Sequence, residues 1–226
     1  MGLRTSKSKP AVARKRAAAG ALTKDADATR ANILNVAIQE FSRNGLSGAR
    51  IDEIAAETGS NKGMIYYYFG SKEGLYAAAF EETCRRTREV EVGFHAESLP
   101  PLEALRHLVK CTFDYHAKHP EFTRLMMIEN IHHGEYIRRI PQLQAANQSV
   151  VERMGALCAR GIAENVFRAD LDPVDLHTSI GALCCSNASN LYTESFVSDR
   201  DFKSPKIHAA RREAVIDMVV RYVSVA

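Results

Sequence analysis

From Ala28 to Gly70 the apolar residues recur every three or four positions, in short runs that each close on a glycine. A repeat of 3.6 places apolar side chains on one face of a helix, whereas a strand needs a repeat of two. In ATRANILNVAIQEFSRNG, Leu34, Ala37, Ile38 and Phe41 share a face, and Gly45 ends the run. In IDEIAAETG, Ile51, Ile54 and Ala55 point inward, and Gly59 is the stop. KGMIYYYF follows Asn61, a good N-cap residue type. Ser71 caps a fourth helix expected to run to about Gly93.

The period continues to the end of the chain. PLEALRHLVKCTFDYHAK opens on prolines and ends at His119-Pro120. EFTRLMMIENIHHG, PQLQAANQSVVERMGALCARGIAENV and PVDLHTSIGALCCSNASNLYTESF follow, and the linker VSDRDFKS precedes PKIHAARREAVIDMVVRYV. No two runs pair convincingly as a hairpin. The expected fold is all-α, with a three-helix unit over residues 27–72 and a larger helical domain over 73–226. Residues 1–26 are rich in Ala, Ser, Lys and Arg and lack an apolar period. They are expected to be a disordered basic arm, either a solubilising tail or an arm that tracks DNA.

The apolar runs are short and broken by charge, so none is expected to span a bilayer. No apolar stretch follows the basic N-terminus, so no signal peptide is expected. Five cysteines, an odd number without CxxC spacing, argue for reduced thiols in a cytoplasm. Their expected role is as small buried side chains, with oxidation sensing by Cys184 and Cys185 as the alternative. Residues 1–72 carry twelve Lys and Arg against six Asp and Glu, a net of +6, while the rest carries eighteen against twenty-one, a net of −3. The basic third is where a polyanion would dock.

Two short helices across a glycine-containing turn fit a helix-turn-helix, whose second helix enters a major groove. On KGMIYYYF, Ile65 and Phe69 face the first two helices, while Gly63 and Tyr67 fall opposite, flanked by Met64 and Tyr66. Gly63 lets the backbone approach closely, and Met64 offers apolar contact to a thymine methyl or base edge. Lys62 stands at the helix start, where the dipole favours phosphate. The hydroxyls of Tyr66 and Tyr67 can donate to phosphate. Lys72 can reach the DNA backbone on the far side. A buried aromatic cluster is the competing account, strongest for Tyr68 and Phe69, because three consecutive helical positions cannot all face inward.

Residues 29–76 resemble the DNA-binding domain of the TetR family of transcriptional regulators, in ILNVAIQEFSRNG, IDEIAAETG and KGMIYYYFGSKEGLY, in that order and spacing. The resemblance implies an all-α homodimer that binds palindromic double-stranded operator DNA. It also implies a larger C-terminal domain that dimerises and holds a small-molecule pocket, whose ligand releases the operator. The expected function is thus a DNA-binding regulator, a repressor answering to a small organic effector, and not an enzyme. Where the family commonly has Ser or Thr capping the second helix, this chain has Arg50, with Glu53 kept three residues on. Arg50 is therefore assigned to a phosphate or base. Asn61 stands where the family often has Ser, and Met64 replaces a usual Thr.

ENIHHGEY, NVFRADLDPVDLH, SNASNLYTESF and RREAVIDMVVRYV resemble a branch that includes repressors of nicotinate and aromatic catabolism. An aromatic or heteroaromatic acid is the effector this implies. Polar residues inside apolar helices mark candidate ligand contacts: Met126, Glu129, Asn130 and His133 on one segment, Cys184 and Asn187 on the other. Mutual hydrogen bonding is the alternative for these groups. No cofactor is expected. A metal-dependent hydrolase using His116, His119, His132 and His133 is the competing function, although no cysteine completes a metal-ligand spacing. A helical interaction module without DNA is the third. For dimerisation, Ile216, Val219, Val220 and Val223 form a stripe on the last helix, supplemented by Ala214, Val215 and Met218.

Overall fold

Each of the first three apolar runs winds into a helix that stops where its glycine stands. The computed structural model describes residues 11–92 and 98–225. α1 (Ala11–Gly48) is interrupted at Gly45, with φ of 65°. α2 (Ile51–Thr58), α3 (Lys62–Phe69) and α4 (Lys72–Val92) follow. Gly59 closes α2 at φ 65° and ψ 17°, a left-handed conformation that glycine adopts without steric cost. Its N–H donates to the Ala56 carbonyl and that of Ser60 to Ala55, which satisfies carbonyls left open at a helix end. Asn61 Oδ1 accepts the Met64 N–H at 2.8 Å, and Ser71 Oγ accepts the Gly74 N–H at 3.0 Å, so both expected caps form.

The helix starts earlier than its apolar period. Residues 11–26 were expected to be disordered, yet their backbone is continuous with α1. The stretch AVARKRAAAGAL lacks an apolar face but is rich in Ala, Arg, Lys and Leu, which favour a helix intrinsically. Residues 1–10 of the expected arm lie outside the described residues.

α5 (Pro101–Lys118), α6 (Pro120–Ile131), α7 (Pro141–Ala163), α8 (Pro173–Ser189) and α10 (Pro205–Val223) each begin on a proline, whose missing N–H costs nothing in a first turn. A 3₁₀ turn, Ile137–Arg139, joins α6 to α7. The run from Pro173 to Phe196, expected as one helix, is two. Asn190, at φ −102° and ψ 10°, bends the chain out of α8 and into α9 (Leu191–Ser198). No named strand occurs among the described residues; Phe167 and Ser224 form a lone antiparallel bridge.

Two buried cores result. The first joins Leu34, Ile38 and Phe41 of α1 to Ile54 of α2, Ile65 of α3 and Leu75, Tyr76 and Phe80 of α4. It continues into Leu125 of α6, Ile140 and Leu143, so this core runs past residue 72. The second joins Leu105, Val109 and Phe113 of α5, Met154 and Leu157 of α7, Ile180 and Cys184 of α8, and α10. In α10, Val215, Ile216, Val219, Val220 and Val223 are all buried within the chain. That corrects the expectation that this stripe meets a partner: it is the inner face, and Ala214, Met218 and Tyr222 face outward.

Gly74 sits where α4 meets the end of α3. A Cβ there would stand 2.1 Å from the Phe69 carbonyl oxygen. Gly74→Ala must therefore push the recognition segment away from α4. The expected cost is about 2 kcal/mol, or a melting temperature lower by roughly 4–8 °C for a domain of this size. Thermal unfolding followed by circular dichroism checks it.

Candidate nucleic-acid interface

Ile65 holds α3 in place. It is fully buried in the first core, and Tyr68 and Phe69 lean on the same core. An α-helix turned so that positions 65, 68 and 69 face inward must present 63, 64, 66 and 67 outward. Tyr67 is 83% exposed, Tyr66 42% and Met64 40%, and Gly63 is open to solvent. The Tyr67 ring stands edge-on to that of Tyr68, with centroids 5.4 Å apart, which limits its freedom without covering it. Arg30 of α1 lies over the Phe69 ring, 5.3 Å from its centroid, and braces the far end of α3.

The charged groups around this helix are held lightly. Lys62 Nζ is 2.6 Å from Asp52 Oδ1, and both side chains are more than half exposed. An exposed pair of this kind is worth about 0.2–1 kcal/mol, so Lys62 can exchange Asp52 for a phosphate at small cost. Lys72 Nζ donates to the Ser47 carbonyl at 3.2 Å, which ties the start of α4 to the end of α1. Arg50 is exposed, 3.8 Å from Glu53. Asn61 is also exposed, its side-chain oxygen engaged as the α3 cap.

The turn before α2 has a long-range tie that sequence spacing did not reveal. Glu40 of α1 is buried, and its Oε1 accepts the Arg50 N–H at 3.0 Å and the Asn44 Nδ2 at 2.9 Å. A carboxylate ten residues upstream thus accepts the N–H of the residue before α2, the bond that the glutamate of a capping box would make, while the Arg50 side chain makes no capping bond. The available signal was a charged residue between Ala37 and Phe41, on the inner side of α1.

The six expected ligand residues are not brought into one cavity. Glu129 is buried, its Oε1 accepting the Tyr76 hydroxyl at 2.8 Å and its Oε2 the Ile137 N–H at 3.0 Å. Burial and the Glu129 carboxylate push the Tyr76 phenol far above its ordinary pKa, so Tyr76 stays a donor. Tyr76 also meets Phe41 and Tyr136 edge-on, at 5.1 and 5.3 Å. Glu129 therefore fastens α4 to the turn after α6. Asn130 is exposed and donates to the Met126 carbonyl, Met126 packs on the first core, and His133 is exposed at φ 56°. Cys184 lies in the second core with its thiol 3.7 Å from the Val109 carbonyl, and burial pushes its pKa up to about 12. A thiol so protonated is a poor redox sensor at neutral pH.

Of the six, Asn187 alone lines the cleft between α8, α9 and α10, which has a volume of about 320 Å³. With it stand Ser186, Asn190, Leu191, Glu194, Arg200, Phe202 and Arg211. The split at Asn190 creates this cleft, because α9 leaves the α8 axis there.

Two of the four histidines have polar partners of their own. His116 Nδ1 pairs with Thr123 Oγ1 at 3.0 Å, and His119 Nδ1 with Glu121 Oε1 at 3.1 Å. Among the described residues no three His, Cys, Asp or Glu gather as a metal would need. Among the described residues His116, His119, His132 and His133 therefore do not form one ligand set. No helix among the described residues is long and apolar enough to cross a membrane.

Comparison with known proteins agrees with this geometry. The family described as "Bacterial regulatory proteins, tetR family" matches residues 33–79, and "Tetracyclin repressor-like, C-terminal domain" matches 101–219. The chain is 33% identical over 202 residues to the HTH-type transcriptional repressor NicS of Pseudomonas putida, covering 89% of this chain and 95% of that one. The chain belongs to the TetR family. It is a DNA-binding transcriptional regulator, and α2–α3 is its helix-turn-helix. The HTH-type transcriptional repressor SCO4008 of Streptomyces coelicolor is 37% identical over 111 residues, 49% of this chain and 54% of that one. Among solved structures, a TetR transcriptional regulator from Chloroflexus aurantiacus superposes with a TM-score of 0.69 at 21% identity, covering 90% of this chain and all of that one. The transcriptional regulator SCO4942 of Streptomyces coelicolor gives 0.66 at 26%, covering 86% and 98%.

Proposed function

We propose that this TetR regulator is a repressor that holds a palindromic operator as a homodimer and lets go when a small organic effector binds. The observation that carries the DNA half is the outward row of Gly63, Met64, Tyr66 and Tyr67 on a helix whose opposite side is pinned by Ile65. Lys62, Asn61, Arg50 and Lys72 surround that row and supply phosphate contacts, while Met64 and Gly63 face base edges. The dimer half rests on α8 and α10. Val174, Thr178 and Ala182 on α8 are exposed in steps of four, as are Ala214, Met218 and Tyr222 on α10. Two such faces can pair with their copies in an antiparallel four-helix arrangement. Repression agrees with the names of the relatives NicS and SCO4008.

Fluorescence anisotropy on labelled DNA flanking the protein's own gene tests the reading. Saturable, sequence-dependent binding at two protomers per palindrome is expected; equal affinity for scrambled duplex overturns it. In the same assay Lys72→Ala should weaken all duplexes alike. The slope of log affinity against log salt should fall by about one for each lost phosphate contact. An unchanged slope would leave Lys72 as a tie to Ser47 alone.

A further inference from the structure

We propose that the cleft between α8, α9 and α10 binds a small organic carboxylate, gripped by Arg200 and Arg211. The two arginines line the cleft from different places, Arg200 from the α9–α10 loop and Arg211 from α10. Neither makes an ion pair or a side-chain hydrogen bond among the described residues. The neighbouring Arg212 shows the contrast, bound to Asp114 at 3.1 Å and to Glu213 at 3.3 Å. A guanidinium presents a planar fork of donors that fits a carboxylate with two parallel hydrogen bonds. Against these two cations the cleft holds one carboxylate, Glu194, which leaves one positive charge in excess. A monocarboxylate balances that charge, whereas a dianion would meet Glu194.

The rest of the lining fits an organic body. Leu191 and Phe202 give an apolar wall, and Ser186, Asn187 and Asn190 offer donors and acceptors for a polar substituent. The loop that carries Arg200 is anchored, because the Arg200 N–H donates to the Ser195 carbonyl at 3.2 Å and the Phe202 N–H to Ser195 Oγ at 3.4 Å. Ser186 also continues, by one more step of four, the outward line of Val174, Thr178 and Ala182. The cleft thus borders the face proposed for the partner, and a ligand in it bears on how α8 and α10 sit. This step to operator release rests on the effector-responsive reading above; carboxylate binding by the cleft does not.

Benzoate is the probe, with benzamide as its neutral counterpart, titrated by calorimetry into the full chain. Benzoate should bind and benzamide should not. Arg200→Ala and Arg211→Ala should each weaken binding about ten- to hundredfold, the worth of one charge-assisted hydrogen-bonded contact. Arg211→Lys, which keeps the charge but loses the fork, should fall between. Melting temperatures of the variants should match the parent. Absence of benzoate binding at millimolar concentration overturns the proposal. So does undiminished binding by the double variant, or displacement of benzoate by equimolar inorganic phosphate. Operator binding by the parent without benzoate is measured alongside. Its failure would count against the regulator reading and not the cleft, while intact operator binding without benzoate binding would count against the cleft alone.

Discussion

Tyr67→Ala should lower operator affinity by about two orders of magnitude and leave the melting temperature almost unchanged. The side chain is 83% exposed, so its removal takes little from either core. In the proposed complex its hydroxyl donates to a phosphate, a hydrogen bond to a charged group worth about 1.5–3 kcal/mol. A homodimer on a palindrome uses the residue twice, so the smaller figure already gives about 3 kcal/mol, or roughly a hundredfold. Tyr67→Phe separates the hydroxyl from the ring: it should recover the stiffening contact with Tyr68 but little of the affinity. Anisotropy titrations at fixed salt, paired with calorimetric melting, read both quantities. Full-strength, sequence-specific binding by Tyr67→Ala would move the reading face off this side of α3.

Two adjacent substitutions on α10 should behave in opposite ways. Val219→Glu should destroy the fold of the C-terminal domain, because Val219 is 4% exposed in the second core. An unpaired carboxylate buried there costs several kcal/mol, a large share of the 5–15 kcal/mol that holds a typical domain together. Met218→Glu points outward, where Met218 is 42% exposed, and should leave the protomer folded. If α10 faces its copy across a two-fold axis, the new carboxylates meet like charges and the dimer should dissociate. Operator affinity then drops, since one half-site alone holds too little DNA. Sedimentation equilibrium gives the mass, and circular dichroism separates unfolding from dissociation. A Met218→Glu protein that stays dimeric places the interface elsewhere.

The Tyr76–Glu129 pair gives these surfaces a physical connection. Tyr76 packs on Phe41 of the DNA-binding unit, and Glu129 belongs to α6 and holds the following turn through the Ile137 N–H. The first core therefore spans the helix-turn-helix unit and part of the C-terminal domain, and a shift of α6 cannot leave α4 untouched. The segment expected to touch ligand is in this respect a joint.

Local chemistry made much of this protein legible in its sequence. The 3.6 period gave the helices, Gly45 and Gly59 their ends, and Asn61 and Ser71 their caps, because each depends on residues within one or two turns. The outward side of α3 followed from the same period, since an eight-residue helix with Ile65 inward has little choice about Tyr67. What needed the tertiary structure was everything that joins distant parts of the chain. Glu40 holds the Arg50 N–H before α2 from ten residues upstream, and Glu129 meets Tyr76 across 53 residues. The apolar stripe of α10 marked an apolar environment but not whose, since a helix period cannot distinguish a chain's own core from a partner. The bend at Asn190 carried no proline or glycine to announce it, yet it opens the cleft that Arg200 and Arg211 line. Period and capping are local interactions that the sequence determines by itself; burial, charge pairing and cavities depend on which helices meet, and only the packed chain decides that.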